Sequence, residues 1–183
     1  MKHLLSILIL LGFISQASYA SQPIIEKIDE INANVIFMRH ALAPGFGDPI
    51  NFNLQDCKSQ RNLNDAGIEQ AQNVGQFFLK NKIIFTEILS SEWCRCKETA
   101  ALMQLGQWKT FLGLNSFFEG YVNKKKTLSA LNQKLDLITS DKLVLMITHQ
   151  VVISAITGKF VGSGELVFYN SETGISEYFK WQK

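Results

Sequence analysis

Two histidines each follow a run of apolar residues that is typical of a buried β-strand. The first run, residues 35–38, is followed by Arg39 and His40, and the second, residues 143–147, is followed one residue later by His149. Ligands and chemistry in open α/β sheets gather at the carboxyl ends of the strands, so we expect the two imidazoles to meet there. Two imidazoles with an arginine beside one of them indicate phosphoryl chemistry.

A phosphoryl group carries charge on several oxygens. A catalyst that works without a metal must therefore supply cations, and a nucleophile in line with the leaving oxygen. Arg39 and Arg95 have planar guanidinium groups that match phosphate oxygens in a way that lysine cannot copy. We expect a neutral ring nitrogen of His40 to attack phosphorus and His149 to donate a hydrogen bond to an equatorial oxygen. A short helix predicted over residues 151–157 follows His149, and a helix start favours anions.

The first twenty residues are typical of a secretory signal. Lys2 precedes an uncharged apolar run over residues 4–14, and the small residues Ser18 and Ala20, on either side of Tyr19, suit cleavage after Ala20. The run is shorter than the ~20 apolar residues of a membrane-spanning helix. We therefore expect cleavage after Ala20, export to the periplasm or the medium, and no stable membrane insertion.

The remaining chain, residues 21–183, has the size of one domain with a hydrophobic core. It carries 17 basic and 16 acidic residues, so its charge gives no reason to expect a nucleic-acid partner. Apolar runs alternate with segments of helical period, which predicts an α/β domain.

The local patterns predict the main elements. Strands are expected over residues 35–38, 86–89, 143–147, 166–169 and 176–181, and helices over residues 65–80, 128–138 and 151–157 and after residue 91. Asn64 is the expected N-cap of the first of these helices, and Ser91 the expected cap of the helix that carries Arg95. The 23-residue connection over residues 41–63 holds two of the three prolines, and connections of that length are usually functional or disordered.

Four segments, in this order, are similar to the motifs of one enzyme family. They are Met38-Arg39-His40-Ala41, with alanine in place of the glycine of an Arg-His-Gly signature; residues 61–71, which open the first helix; residues 89–100, which bring in Arg95; and Thr148-His149, followed by Gln150 where glycine often stands. The chain therefore resembles the histidine phosphatase superfamily, which includes phosphoglycerate mutase-like enzymes, and in particular a small exported bacterial branch.

The resemblance implies a phosphoglycerate mutase-like fold, a three-layer α/β sandwich whose mostly parallel central sheet has helices on both faces. It also implies a two-step reaction in which His40 is phosphorylated and water then releases phosphate. Arg39, Arg95 and His149 would bind the phosphoryl group. Neither a metal nor another cofactor is expected.

The family usually has an acid that protonates the leaving group, and Asn115 stands in its usual position here. Glu119 and Asp48 are the alternative proton donors. Arg61 and Gln150 are secondary candidates for phosphate binding, although Arg61 alternatively pins the long connection. Phe117-Phe118 either belongs to the core or walls the mouth of the site.

Three cysteines allow two interpretations. An exported protein meets an oxidising compartment, and a disulfide from Cys57 to Cys94 or Cys96 would tie the long connection beside Arg95. A zinc site is the weaker alternative, because the sequence lacks a paired Cys-x-x-Cys and only two histidines remain after cleavage.

Three classes of function are therefore open. The leading hypothesis is an exported phosphatase for a small phosphorylated substrate, such as an envelope sugar phosphate, on which a similar exported branch of the family acts. The second is a catalytically silent phosphate- or sugar-phosphate-binding domain, since the usual glutamate is missing. The third is a metal-binding protein.

Overall fold

The computed structural model describes residues 24–180, in which six strands form one sheet flanked by five α-helices. The predicted signal, residues 1–20, lies outside this range. The strands are β1 (Val35–Arg39), β2 (Glu87–Ser90), β3 (Lys109–Thr110), β4 (Val144–Thr148), β5 (Leu166–Tyr169) and β6 (Ser176–Phe179). The helices are α1 (Ile24–Glu30), α2 (Asp65–Lys80), α3 (Cys94–Leu102), α4 (Lys124–Leu135) and α5 (Gln150–Thr157). Within the described range, no helix combines the length and apolarity that crossing a bilayer requires.

The strand order is β3-β2-β4-β1-β5-β6. The first four strands in this order run parallel, while β5 pairs antiparallel with both β1 and β6. Arg39, the last residue of β1, is in register with Thr148, the last residue of β4. The next residues, His40 and His149, therefore leave the sheet at the same edge, and the His40 N–H donates to the Thr148 carbonyl (2.9 Å).

The central strands are covered on both faces, as their continuous apolar runs require. Because side chains alternate along a strand, Ile36 and Met38 pack in one core with α1, α2 and α3. Val35 and Phe37 pack in the other core with α4 and α5. The predicted three layers, with a mostly parallel sheet between two layers of helices, are confirmed.

Helix α2 begins as its sequence predicts. The Asn64 side chain accepts from the Gly67 N–H (2.9 Å), which caps the helix, and Asp65 lies in the first turn. Farther along, Gly75 allows α2 to approach α3 closely, since a Cβ there would lie 2.1 Å from the carbonyl oxygen of Met103.

Other boundaries differ from the predictions. The N-cap of α3 is Trp93 and not Ser91, and Trp93 makes no side-chain capping bond. The Ser91 hydroxyl lies before the helix, where it accepts from the Trp93 N–H (3.3 Å) and contacts His149. Helix α4 begins at Lys124, where Asn123 caps it, and ends before Ile138. Helix α1 was not predicted, although Ile24, Ile28 and Ile31 recur at helical spacing and pack in the core. Strand β3 was not predicted, because two residues are too few to give a local pattern.

Gly75→Ala tests the approach of α2 to α3. Alanine favours a helix interior by up to about 1 kcal/mol over glycine, but the clash with Met103 opposes that gain. We expect a net loss of about 1–3 kcal/mol in the free energy of unfolding, measured in urea. Gln72→Ala, on the exposed face of the same helix, should change it by less than about 0.5 kcal/mol. A Gly75→Ala protein as stable as the wild type would contradict the close packing.

Candidate active site

A cavity of about 270 Å³ opens where β1 and β4 end, and it brings together the two predicted histidines. The sequence contains three arginines, Arg39, Arg61 and Arg95, and all three line this cavity. The remaining predicted residues that line it are Asp48, Gln150 and Phe118. The histidines and arginines selected from the sequence thus share one site.

His40 is buried and has its protonation set by its neighbours. Its Nδ1–H donates to the Ala41 carbonyl oxygen (2.7 Å), which leaves Nε2 as the unprotonated nitrogen. The Arg95 Nε–H donates to this Nε2 (3.3 Å). Burial, followed by the positive charge of Arg95, holds the pKa of His40 well below 6.5. His40 is therefore a neutral imidazole whose Nε2 electron pair accepts from Arg95 and carries no proton.

His149 lies edge-on to His40, with 5.4 Å between the ring centres. Its Nε2 is 2.9 Å from the Ser91 hydroxyl oxygen and 3.5 Å from the Cys96 sulfur, and the Trp93 ring packs against it edge-on. Burial lowers the pKa of His149 well below 6.5, and the charge of Arg95 lowers it further. A neutral His149 donates a hydrogen bond from one ring nitrogen and accepts one at the other.

Ser91 connects His149 to Asn115, the residue in the usual acidic position. The buried Asn115 side-chain oxygen accepts from the Ser91 hydroxyl (3.2 Å) and from the Glu92 N–H (2.9 Å). Asn115 therefore supports the residues around His149 and is not among those that line the cavity. This role of Ser91 was not predicted from the sequence. Its position directly after β2, the neighbour of β4, is the signal that indicates it.

The three guanidinium groups are only partly paired. Arg39 Nη1 donates to the Val161 carbonyl (2.9 Å), while its buried Nε has no hydrogen-bond partner within residues 24–180. Arg61 donates to the carbonyls of Gly47 (2.8 Å, from Nε) and Ala43. An unpartnered buried N–H beside three positive charges is the environment that an anion would satisfy.

Asp48 is the one carboxylate that lines the cavity within the described range. It accepts two bonds from the Arg95 fork (2.8 and 3.1 Å), one from the Arg61 N–H (3.0 Å) and one from the Trp93 indole (3.0 Å). Burial acts to raise the pKa of Asp48, but these hydrogen bonds and the Arg95 charge outweigh it, so the pKa is lowered. Asp48 is therefore ionised at neutral pH and occupies the Arg95 fork.

Glu119, the other candidate proton donor, does not line the cavity. Its carboxylate accepts from the Asp48 N–H (3.1 Å) and packs against Gly47, where a Cβ would lie 2.5 Å from a carboxylate oxygen. In this structure Glu119 holds the loop that carries Asp48.

Of the two disulfide partners left open for Cys57, the structure pairs it with Cys94. Cys94 directly precedes Arg95, and its N–H donates to the Gln60 side chain (2.9 Å), so the long connection is fastened to the start of α3. Cys96 is a free buried thiol, and burial raises its pKa to about 12. Residues 24–180 contain no cluster of three or more His, Cys, Asp or Glu side chains arranged to hold a metal ion.

The motifs and this geometry agree with a family match. Residues 35–114, which include His40, Arg61 and Arg95, match the family model described as histidine phosphatase superfamily (branch 1). The matched segment places residues 35–114 in the histidine phosphatase superfamily. His149 lies beyond the matched residues, and its place in the site comes from the pairing of β4 with β1.

Solved structures share the fold of this chain at low sequence identity. The protein histidine phosphatase SixA complexed with tungstate is 15% identical, with a TM-score of 0.56 over 80% of this chain and 94% of that chain. A phosphoserine phosphatase from Entamoeba histolytica in complex with 3-phosphoglyceric acid is 20% identical, with a TM-score of 0.55 over 81% and 96%. A mycobacterial glucosyl-3-phosphoglycerate phosphatase is 11% identical, with a TM-score of 0.54 over 81% and 98%. No curated protein sequence matches the chain.

Replacing both disulfide cysteines tests how the long connection is held. We expect Cys57→Ser/Cys94→Ser to lower the free energy of unfolding by about 2–4 kcal/mol, because the unfolded chain is no longer cross-linked. We also expect weaker tungstate binding, measured by calorimetry, because Arg95 follows Cys94. Reductant should lower the stability and the tungstate affinity of the wild type by the same amounts, and it should change neither quantity in the double variant. Equal stability and equal tungstate affinity in all four samples would contradict this role.

The lowered histidine pKa values predict how stability depends on pH. Below pH 6.5 the unfolded chain binds more protons than the folded protein, so the free energy of unfolding should fall as the pH falls from 7.5 to 5.5. Each buried neutral histidine contributes up to about 1.4 kcal/mol per pH unit below 6.5. Urea unfolding of the wild type and of His40→Gln measures this, and the variant should show the weaker dependence. Identical pH dependence in both proteins would show that His40 does not titrate abnormally.

Proposed function

We propose that this protein is a metal-independent phosphomonoester hydrolase that works through a phosphohistidine on His40. The observation that carries the proposal is the unprotonated Nε2 of a buried, neutral His40 in a cavity lined by all three arginines of the chain. The match of residues 35–114 to the superfamily supports a phosphatase. The SixA phosphatase with which the chain shares its fold binds tungstate, an analogue of phosphate in shape and charge.

In the first step, Nε2 of His40 attacks phosphorus. A P–N bond forms as the P–O bond to the leaving group breaks, and the departing oxygen keeps the electron pair and takes up a proton. Arg39 and Arg95 bind the phosphoryl oxygens, and His149 donates a hydrogen bond to one of them. In the second step, water attacks phosphorus and gives a proton to the carboxylate that protonated the leaving group. The P–N bond breaks with its electron pair returning to Nε2, and phosphate leaves with His40 restored.

The proton for the leaving group is assigned to Asp48. A phosphoryl group that binds the Arg95 fork displaces the Asp48 carboxylate, which then loses the two hydrogen bonds that lower its pKa, while its burial still favours the neutral acid. Substrate binding thereby makes Asp48 a better acid catalyst. Glu119 remains the alternative donor if the loop that it holds moves.

A catalytically silent phosphate-binding domain is the second candidate. The observation that favours it is Asn115, which stands in the usual acidic position and is buried beside Ser91. Such a domain would bind phosphate through the same arginines without turning over an ester.

We also propose that the protein is exported. The support is the signal-like pattern of residues 1–20, and a disulfide suits an oxidising compartment such as the periplasm. The small exported branch of the family is a proposal on the same grounds, and so is a small phosphorylated substrate. The sequence resemblance suggests an envelope sugar phosphate as one example, and the residues at the mouth of the cavity decide between a sugar and an apolar alcohol.

His40→Ala tests the proposed function. With 4-nitrophenyl phosphate and excess EDTA, we expect the wild type to release 4-nitrophenol and to form an acid-labile phosphoenzyme. His40→Ala should lose at least about 10³-fold in kcat/KM, because no nucleophile remains, and should still bind tungstate. Lys58→Ala, on the exposed side of the long connection, is the matched control and should retain full activity. Tungstate binding by the wild type without turnover would establish the silent domain, and activity restored only by added metal would contradict a metal-independent mechanism.

A further inference from the structure

We propose that the leaving group of the substrate is apolar, and that three phenylalanines at the mouth of the cavity bind it. This inference rests on the proposed function and names its substrate class: phosphomonoesters of an aryl or alkyl alcohol, in preference to phosphates of a polyhydroxylated sugar. The three residues, Phe46, Phe118 and Phe160, are called the aromatic rim here.

The aromatic rim exposes large apolar side chains next to the phosphate-binding arginines. Phe46 is 86% exposed, Phe160 74% and Phe118 36%, yet all three line the same cavity as His40. Phe46 and Phe118 meet edge to face, with 5.1 Å between the ring centres. Clustered exposed apolar side chains at the rim of a cavity indicate a surface that a ligand covers.

The loop that presents Phe46 is held in place by the site itself. Gly45 and Gly47, on either side of Phe46, have φ angles of +98° and +68°, which side chains rarely tolerate. The Arg61 side chain donates to the carbonyls of Ala43 and Gly47, and Glu119 accepts from the Asp48 N–H. The exposed ring is therefore positioned by an arginine of the phosphate cavity, which couples the rim to the phosphoryl site.

Few polar side chains other than the histidines and arginines line the cavity. Asp48 is the one lining carboxylate among residues 24–180 and Gln150 the one lining amide. Even without Arg95, the two Asp48 oxygens accept from the Arg61 N–H and the Trp93 indole. The Ser154 hydroxyl donates to the Val151 carbonyl (3.4 Å), and the Ser116 hydroxyl accepts from the Phe118 N–H (3.3 Å). Hydroxyl groups placed against the aromatic rim would lose hydrogen bonds to water without replacement, which disfavours a polyol.

Two primary alkyl phosphates test the polarity of the leaving group while the type of alcohol released stays the same. 2-Phenylethyl phosphate and glucose 6-phosphate both release a primary alcohol, but one is apolar and the other is polyhydroxylated. We expect the wild type to prefer 2-phenylethyl phosphate by at least about 10-fold in kcat/KM, the lower end of what apolar contacts supply. In Phe46→Ser/Phe160→Ser this ratio should fall about 10-fold through slower turnover of 2-phenylethyl phosphate, while kcat/KM for glucose 6-phosphate stays within about twofold.

The controls use exposed apolar residues that do not line the cavity. Ile84→Ser/Leu137→Ser replaces side chains that are 82% and 78% exposed, and it should leave the ratio unchanged. Phe160→Ser alone, on a different loop from Phe46, gives an independent test with a smaller expected fall in the ratio. Urea midpoints and circular dichroism establish that each variant is folded.

The outcomes distinguish this inference from the proposed function. A wild type that hydrolyses both esters equally, or that prefers glucose 6-phosphate, overturns the apolar leaving group but leaves the phosphatase in place. An unchanged ratio in the folded double and single variants also overturns the role of the aromatic rim. A folded wild type that hydrolyses neither ester nor 4-nitrophenyl phosphate overturns the proposed function, and the inference with it.

Discussion

The parallel pairing of β1 with β4 is the constraint on which the site depends. It sets Arg39 opposite Thr148, so that His40 and His149 leave the sheet side by side with 5.4 Å between their ring centres. A slip of one residue would move one histidine by about 3.3 Å and turn its side chain to the opposite face of the sheet. Helices pack on both faces of these strands, so a change of register would disrupt two hydrophobic cores. This packing therefore fixes the position of one histidine relative to the other.

The electrostatic environment determines the protonation state of these two imidazoles. Burial, followed by the charge of Arg95, keeps both histidines neutral, so each ring has one protonated and one unprotonated nitrogen. The guanidinium groups are held by backbone carbonyls and by the Asp48 carboxylate, and Arg39 Nε has no partner within the described range. The site thus carries more donors than acceptors, which suits a phosphoryl group with its several charged oxygens.

The long connection between β1 and α2 contacts both the arginines of the cavity and the residues at its mouth. The disulfide fastens Cys57 to the residue before Arg95, and Arg61 holds the loop on which Phe46 is exposed. Asp48, on the same loop, closes onto Arg95. A single segment therefore supplies both the carboxylate that pairs with Arg95 and an exposed aromatic ring that lines the same cavity.

The sequence by itself determined which chemical groups are present and where the strongly patterned elements lie. The apolar runs before His40 and His149 and the Asn64 cap are local signals, and they identified β1, β4 and α2 and the strand ends that carry the histidines. Only the tertiary structure decided which residues are partners. Ser91 contacts His149, 58 residues away, and Asp48 pairs with Arg95. Cys57 is bonded to Cys94 and not to Cys96, and Glu119 holds the loop and does not line the cavity. The physical reason is that each of these contacts joins segments brought together by sheet order and helix packing, whereas periodicity and capping report only on residues a few positions apart.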